Sequence, residues 1–136
     1  MEDKIISKSI SDIKDFIIKN SMLHSRNEIC GFIGYDKTEN KYVASLEKNS
    51  ASDPTLFFLI SPVSYLEFKN RYSVLGIFHS HIVADEQASE FDIKMSEANC
   101  LPFIIYSINS KKFHIYEPQN QYYDVNIFHK VKAKLK

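Results

Sequence analysis

His79-Ser80-His81 is followed by Ser89 and Asp92 in the spacing His-x-His-x7-Ser-x2-Asp. Two imidazoles, a hydroxyl and a carboxylate therefore fall in one short window. Zinc binds imidazole nitrogen and carboxylate oxygen, and a catalytic zinc site needs three protein ligands and an open position. His79, His81 and Asp92 make up such a set, which implies one zinc ion with a bound water. By residue frequency the whole pattern arises in about one shuffled chain in a thousand. Taken singly, each residue also has an ordinary role. Ser89 serves as a helix N-cap, Asp92 as an acidic group at a helix start, and the histidines as polar strand ends.

The elements that must position these groups follow from the spacing. Val74-Leu75-Gly76-Ile77-Phe78 is an apolar run of strand length. Residues i and i+2 of a strand share a face, so His79 and His81 point one way and Ser80 the other. Residues 82–88 form a loop, and 89–98 read as a helix with Phe91, Met95 and Ala98 on one face. Ser89 and Asp92, at i and i+3, are neighbours on its first turn. A strand end facing a helix start brings all four groups to one point.

Metal-assisted amide hydrolysis also needs a carboxylate outside the ligand set to act as general base. Glu28 is the candidate, at the entry to the apolar segment Ile29-Cys30-Gly31-Phe32-Ile33-Gly34. An acidic residue beside a hydrophobic strand is costly to bury without a task or a partner. The alternative is a solvated carboxylate at a strand edge.

Together these residues resemble the JAMM (MPN+) metalloproteases, whose signature is a glutamate well upstream of His-x-His-x7-Ser-x2-Asp. The resemblance spans most of the chain: Glu28-x-x-Gly31-x-x-Gly34, the Gly76-x-x-His79-Ser80-His81 strand, Ser89-x-x-Asp92, and the strand around Leu101-Pro102-Phe103-Ile104-Ile105. It is closest in style to compact bacterial and phage members, including the JAMM module of tail-assembly proteins. The resemblance implies an α/β JAMM/MPN (cytidine-deaminase-like) fold. That fold has a central mixed, mostly antiparallel sheet flanked by about three helices. It implies zinc on His79, His81 and Asp92, Glu28 as general base and Ser89 as oxyanion donor. It further implies cleavage of a peptide or isopeptide bond after the C-terminal tail of a ubiquitin-like or sulfur-carrier protein. In bacteria such proteins accompany antiviral conjugation operons and sulfur-transfer pathways. Two departures bear on substrate fit. Ile82 follows the second histidine where many members have proline, and only nine residues separate Asp92 from Pro102. The second leaves no room for a long insertion.

Composition bounds the rest. The 136 residues suit a single domain, 1–136, with a real core. Seventeen basic and seventeen acidic residues cancel, so no global field favours nucleic acid or a membrane surface. No apolar run approaches the roughly 18 residues of a membrane span, and the first residues lack a signal-peptide core. A cytoplasmic location is the expectation, with the oligomeric state open. Two cysteines, Cys30 and Cys100, read as buried free thiols. His24, His114 and His129 read as solvated or locally bonded.

Elsewhere the pattern predicts a short strand or lead-in at 4–8 and a helix at 9–20 with Ser9 and Asp12 as a capping pair. Strands are expected at 29–35, 41–48, 56–60, 102–108 and 121–128. A helix runs from Ser61-Pro62 to about Arg71, and 113–116 forms a hairpin partner. The lysine-rich tail 130–136 reads as a frayed terminus. Besides a zinc peptidase, two readings remain: a phage-type tail-assembly module and a non-catalytic scaffold of the same fold. A zinc deaminase is excluded, since neither His-x-Glu nor Pro-Cys-x-x-Cys occurs.

Overall fold

The computed structural model describes residues 3–135. Six strands form one sheet in the order β1-β3-β2-β4-β5-β6. They are β1 (Lys4–Ser7), β2 (Cys30–Asp36), β3 (Lys41–Glu47), β4 (Ser73–His81), β5 (Phe103–Ser107) and β6 (Phe113–Tyr116). The helices are α1 (Ile10–Leu23), α2 (Pro62–Arg71), α3 (Glu90–Asn99) and α4 (Val125–Leu135). Among the described strand pairs only β4 and β5 run parallel. The expected mixed, mostly antiparallel α/β architecture is therefore present, with four helices among the described residues rather than about three.

Each face of the sheet carries its own core. Ile13, Phe16 and Ile17 of α1 and Phe128, Val131 and Leu135 of α4 pack over Ile33, Leu75, Phe78 and Ile104. On the other face Phe68 of α2 and Met95 of α3 join Phe32, Val43, Phe58, Ile77 and Phe103. Strand β4 lies between β2 and β5, and seven successive residues from Leu75 to His81 are buried. Such a strand reads as a continuous apolar run, which is how its sequence reads. Gly31 lets this centre close: a Cβ there would stand 2.0 Å from the Ser45 carbonyl and 2.5 Å from the Phe78 ring.

Several expectations need correction. Residues 56–60 are not a strand. No neighbouring ladder takes their backbone. Instead Asn49 receives the Leu59 N–H and donates to the Phe57 carbonyl, and the Ser50 N–H donates to Leu59. Residues 121–128 are not a strand either, and the tail is not frayed. Asp124 accepts the Ile127 N–H at 3.0 Å and starts α4. Phe128, Val131 and Leu135 recur at helical spacing and are buried. The alternating lysines between them masked that period; Lys136 and the first two residues lie outside the described residues. At α1 the Ser9 hydroxyl makes no capping bond. Ser7 takes that part, accepting the Ser9 N–H and donating to Asp12. On α3 Phe91 and Met95 face inward as expected, against Phe57, Phe58 and the second core, but Ala98 is exposed and the fully buried residues are Asp92 and Ser96. Ser96 satisfies its burial by donating to the Leu101 carbonyl.

Candidate metal centre

Strand β4 ends at His81, and its alternation sends His79 and His81 to one face, as expected. Ser80 points to the other, where its hydroxyl accepts the Ile29 N–H at 2.9 Å. That bond fixes the residue next to Glu28. Helix α3 then presents Asp92 from its first turn.

His79 Nε2 lies 3.0 Å from Asp92 Oδ1 and His81 Nε2 3.1 Å from Asp92 Oδ2. One ligand atom from each of the three residues falls within 4.8 Å of the others. His79, His81 and Asp92 are 1%, 6% and 2% exposed. The Ser89–Asp92 capping box is also present. The Asp92 N–H donates to Ser89 Oγ at 3.0 Å and the Ser89 N–H to Asp92 Oδ2 at 2.9 Å. The capping role and membership of the cluster thus coexist. The cap holds the carboxylate still while both of its oxygens face imidazoles.

The protonation pattern tests whether a cation belongs there. His81 Nδ1 lies 2.6 Å from the Asp85 carbonyl. A carbonyl can only accept, so Nδ1 carries the proton and, in the neutral ring, Nε2 presents a lone pair. That lone pair faces a carboxylate oxygen. Both ring nitrogens of His79 are buried without a partner in hydrogen-bonding geometry, although carboxylates stand nearby. Lone pairs facing carboxylate oxygens at such distances need a positive charge between them. Protons supply it in the chain alone. Burial pushes His79 down, but Asp92 and Glu28 outweigh it and lift its pKa to about 9. Burial likewise opposes a charge on His81, while Asp92 and the Asp85 carbonyl raise its pKa. Burial would raise Asp92, yet the two histidines hold it well below the usual carboxylate range. A divalent cation meets the same demand, and two imidazoles with one carboxylate suit zinc. The residues fit the metal.

The surroundings orient this set. Phe58 stacks on His79, with ring centroids 4.4 Å apart and planes at 25°. The loop 82–88, which lacks the expected proline, is tied from the β5–β6 turn. Ser107 Oγ donates to the Ala84 carbonyl at 2.7 Å, Asn109 to Val83 at 3.0 Å, and Ser110 to Glu86 at 2.7 Å. The Asp85 carbonyl that orients His81 sits inside this clamp.

Glu28 lies just before β2 rather than within it, and it is buried, not solvated at an edge. Its Oε1 is 3.6 Å from His79 Nδ1. Its backbone is held on both sides: the N–H donates to the Pro54 carbonyl at 2.7 Å, and its carbonyl accepts from Asn49 at 2.9 Å. Glu28, Ser89, His81 and Asp92 line one cavity of about 400 Å³. Ser89 Oγ accepts from the Asp92 N–H, which leaves its own proton free to donate. The structure thus brings together all five residues singled out from the sequence. Phe58, Asn49 and Ser107 had no sequence signal, because each acts through a contact distant in the chain, and Asp85 had none because it acts through its backbone carbonyl. Ser80 alone had a hint, its position between the two histidines.

Both cysteines are free, but only Cys30 is buried as expected, while Cys100 is half-buried. Cys30 stands opposite His79 across β2 and β4. Burial first, then Glu47 and Glu28, push its thiol up to about 12, so it stays protonated in the metal-free chain. No helix among the described residues is long and apolar enough to cross a membrane.

No family model matches the chain. Tail tip assembly protein K of Escherichia phage N15 is 27% identical over 107 residues. The match covers 79% of this chain, which spans only 43% of that relative. The crystal structure of a JAB1/MPN domain protein from Archaeoglobus fulgidus superposes with a TM-score of 0.50 at 16% identity, covering 85% of this chain and 90% of that one. A protein from Desulfitobacterium hafniense, solved in solution, superposes with a TM-score of 0.50 at 21% identity, covering 84% and 94%. The chain therefore has the α/β fold of a JAB1/MPN domain, with a buried His79–His81–Asp92 cluster able to hold a metal ion at the junction of β4 and α3.

Proposed function

We propose that the chain is a zinc-dependent hydrolase of peptide or isopeptide bonds, with His79, His81 and Asp92 as ligands, Glu28 as general base and Ser89 as oxyanion donor. The observation that carries this is the placement of Glu28. A buried carboxylate outside the ligand set shares one cleft with the cluster and with a free hydroxyl proton. A purely structural metal site would use the Ser89 cap but would have no need of a buried carboxylate outside the ligand set.

Zinc held there would supply Lewis acidity, acidifying a water molecule and polarising a carbonyl. Glu28 would take the proton from the attacking water as its oxygen bonds to the carbonyl carbon. Ser89 donates a hydrogen bond to the carbonyl oxygen as negative charge builds on it. The C–N bond then breaks, and Glu28 returns the proton to the leaving amine. The Asn49 and Pro54 contacts hold Glu28 in place, so little is lost in orienting it.

The substrate proposed from the family resemblance is the C-terminal tail of a ubiquitin-like or sulfur-carrier protein, in a cytoplasmic setting. The test is release of a reporter fused to such a tail, with zinc and with a chelator. Zinc-dependent release supports the reading; absence of stoichiometric zinc binding ends it. Likeness to a tail tip assembly protein favours a second context, in which the same chemistry processes an assembly protein. A genomic neighbourhood of tail genes would favour that context, and one of conjugating or activating enzymes the first.

A further inference from the structure

We propose that the cleft beside the metal cluster selects a large apolar side chain of an extended peptide next to the bond to be cut, with Leu56, Phe57 and Val83 as the specificity residues. The inference rests on the hydrolytic reading and adds a substrate class to it. Its ground is an uneven surface. Leu56, Phe57 and Val83 are 65%, 45% and 81% exposed, and all three line the cavity that holds Glu28 and Ser89. Scattered exposed apolar residues are ordinary; gathered at the mouth of a cleft they mark a binding surface. The supports behind them are fixed. Phe57 stands edge-on to Phe91 at 5.5 Å, and the Val83 carbonyl is tied to Asn109. Walls already ordered lose little freedom when a side chain enters.

Charge narrows the occupant. Glu28, Glu90 and Asp92 line the cavity, and no lysine or arginine does. An acidic side chain or a free α-carboxylate would find no lysine or arginine to pair with and would face Glu90, while the one basic group in the lining, His81, is already held by Asp92 and the Asp85 carbonyl. The cleft therefore suits an apolar residue inside a chain rather than a C-terminal one. It is concave with its chemistry at the floor, which fits an inserted segment better than the surface of a second copy.

The test incubates the zinc-loaded chain with a pool of short synthetic peptides of known sequence and reads cut sites by mass spectrometry. Leu, Ile, Phe and Met should be enriched, and Asp and Glu depleted, at one position beside the cut bond. Leu56→Asp combined with Val83→Asp should lower cutting at those sites by roughly tenfold or more, with zinc content unchanged. Val83→Ile should keep the preference. Cutting without preference, or the same preference in the double variant, overturns the subsite while leaving the hydrolase standing. Where no peptide is cut, binding decides the subsite, and the hydrolase stands or falls with the tail-fusion assay. In that case fluorescein-labelled peptides from the pool are titrated into the zinc-loaded Glu28→Gln chain, and apolar peptides should bind more tightly than acidic ones. Equal or absent binding overturns the subsite. So does a wild-type dimer that Val83→Asp dissociates, which would assign the patch to self-association.

Discussion

The Asp85 carbonyl lies 2.6 Å from Nδ1 of His81, and this backbone group sets which nitrogen of the ring can face a metal. Its position depends on the loop 82–88, which Ser107 grips from the neighbouring strand.

Ser107→Ala should therefore weaken zinc binding without touching a ligand. The expected loss is about tenfold, the lower end for partners that orient metal-bound histidines. Competition with a chromophoric chelator measures it. Ser107→Thr should restore the affinity, and a loss confined to thermal stability would reduce Ser107 to packing.

The proposed roles of Glu28 and Ser89 can be tested separately. Glu28→Gln should bind zinc normally and lose turnover. Ser89→Asp preserves a good N-cap but removes the hydroxyl proton, and kcat should fall by about 10²–10³. Zinc content and kcat, measured together on both variants, check the assignment.

Acid–base linkage gives a prediction for the metal-free chain. His79 is raised from 6.5 to about 9. Its contribution to stability is complete below pH 6.5 and is lost as pH rises through about 9. Asp92 is lowered from 3.8, so its contribution is present above that value and lost on acidification. Melting temperatures in chelator should decline across pH 6.5 to 9. Zinc displaces the imidazole protons, so the rise in melting temperature on adding zinc should grow across the same window. A metal-free chain that is flat over that range would contradict the pairing.

Phe58→Ala should cost about 3–5 kcal/mol as a large buried aromatic is removed, and it also strips the stacked face from His79. Denaturant titration with and without zinc checks both effects. The zinc-dependent part of the stability should fall as well as the total.

The sequence made strand β4 legible as an apolar run of strand length and helix α3 legible from the i, i+3 spacing of Ser89 and Asp92 at its start. Glu28 was legible only as a carboxylate next to an apolar run; what anchors its backbone comes from Asn49 and Pro54, far along the chain. The errors have one cause. Leu56–Ile60 has the composition of a strand, yet no partner strand is available and Asn49 takes up its backbone. In α4 the lysines impose a period of two over a buried period that is helical. Local pattern sees composition, whereas pairing and burial decide the element.

The pleat of β4 makes chain length more critical than residue identity there. His79 and His81 need one face, and Ser80 needs the other to hold Ile29. One inserted residue between Ser73 and His79 would turn all three over together. A substitution in this strand changes one side chain at a time. A single added or deleted residue would remove both imidazoles from the cluster and free the support beside Glu28 in one event. The route by which a lineage loses this site most abruptly is thus a one-codon insertion or deletion rather than the exchange of a ligand.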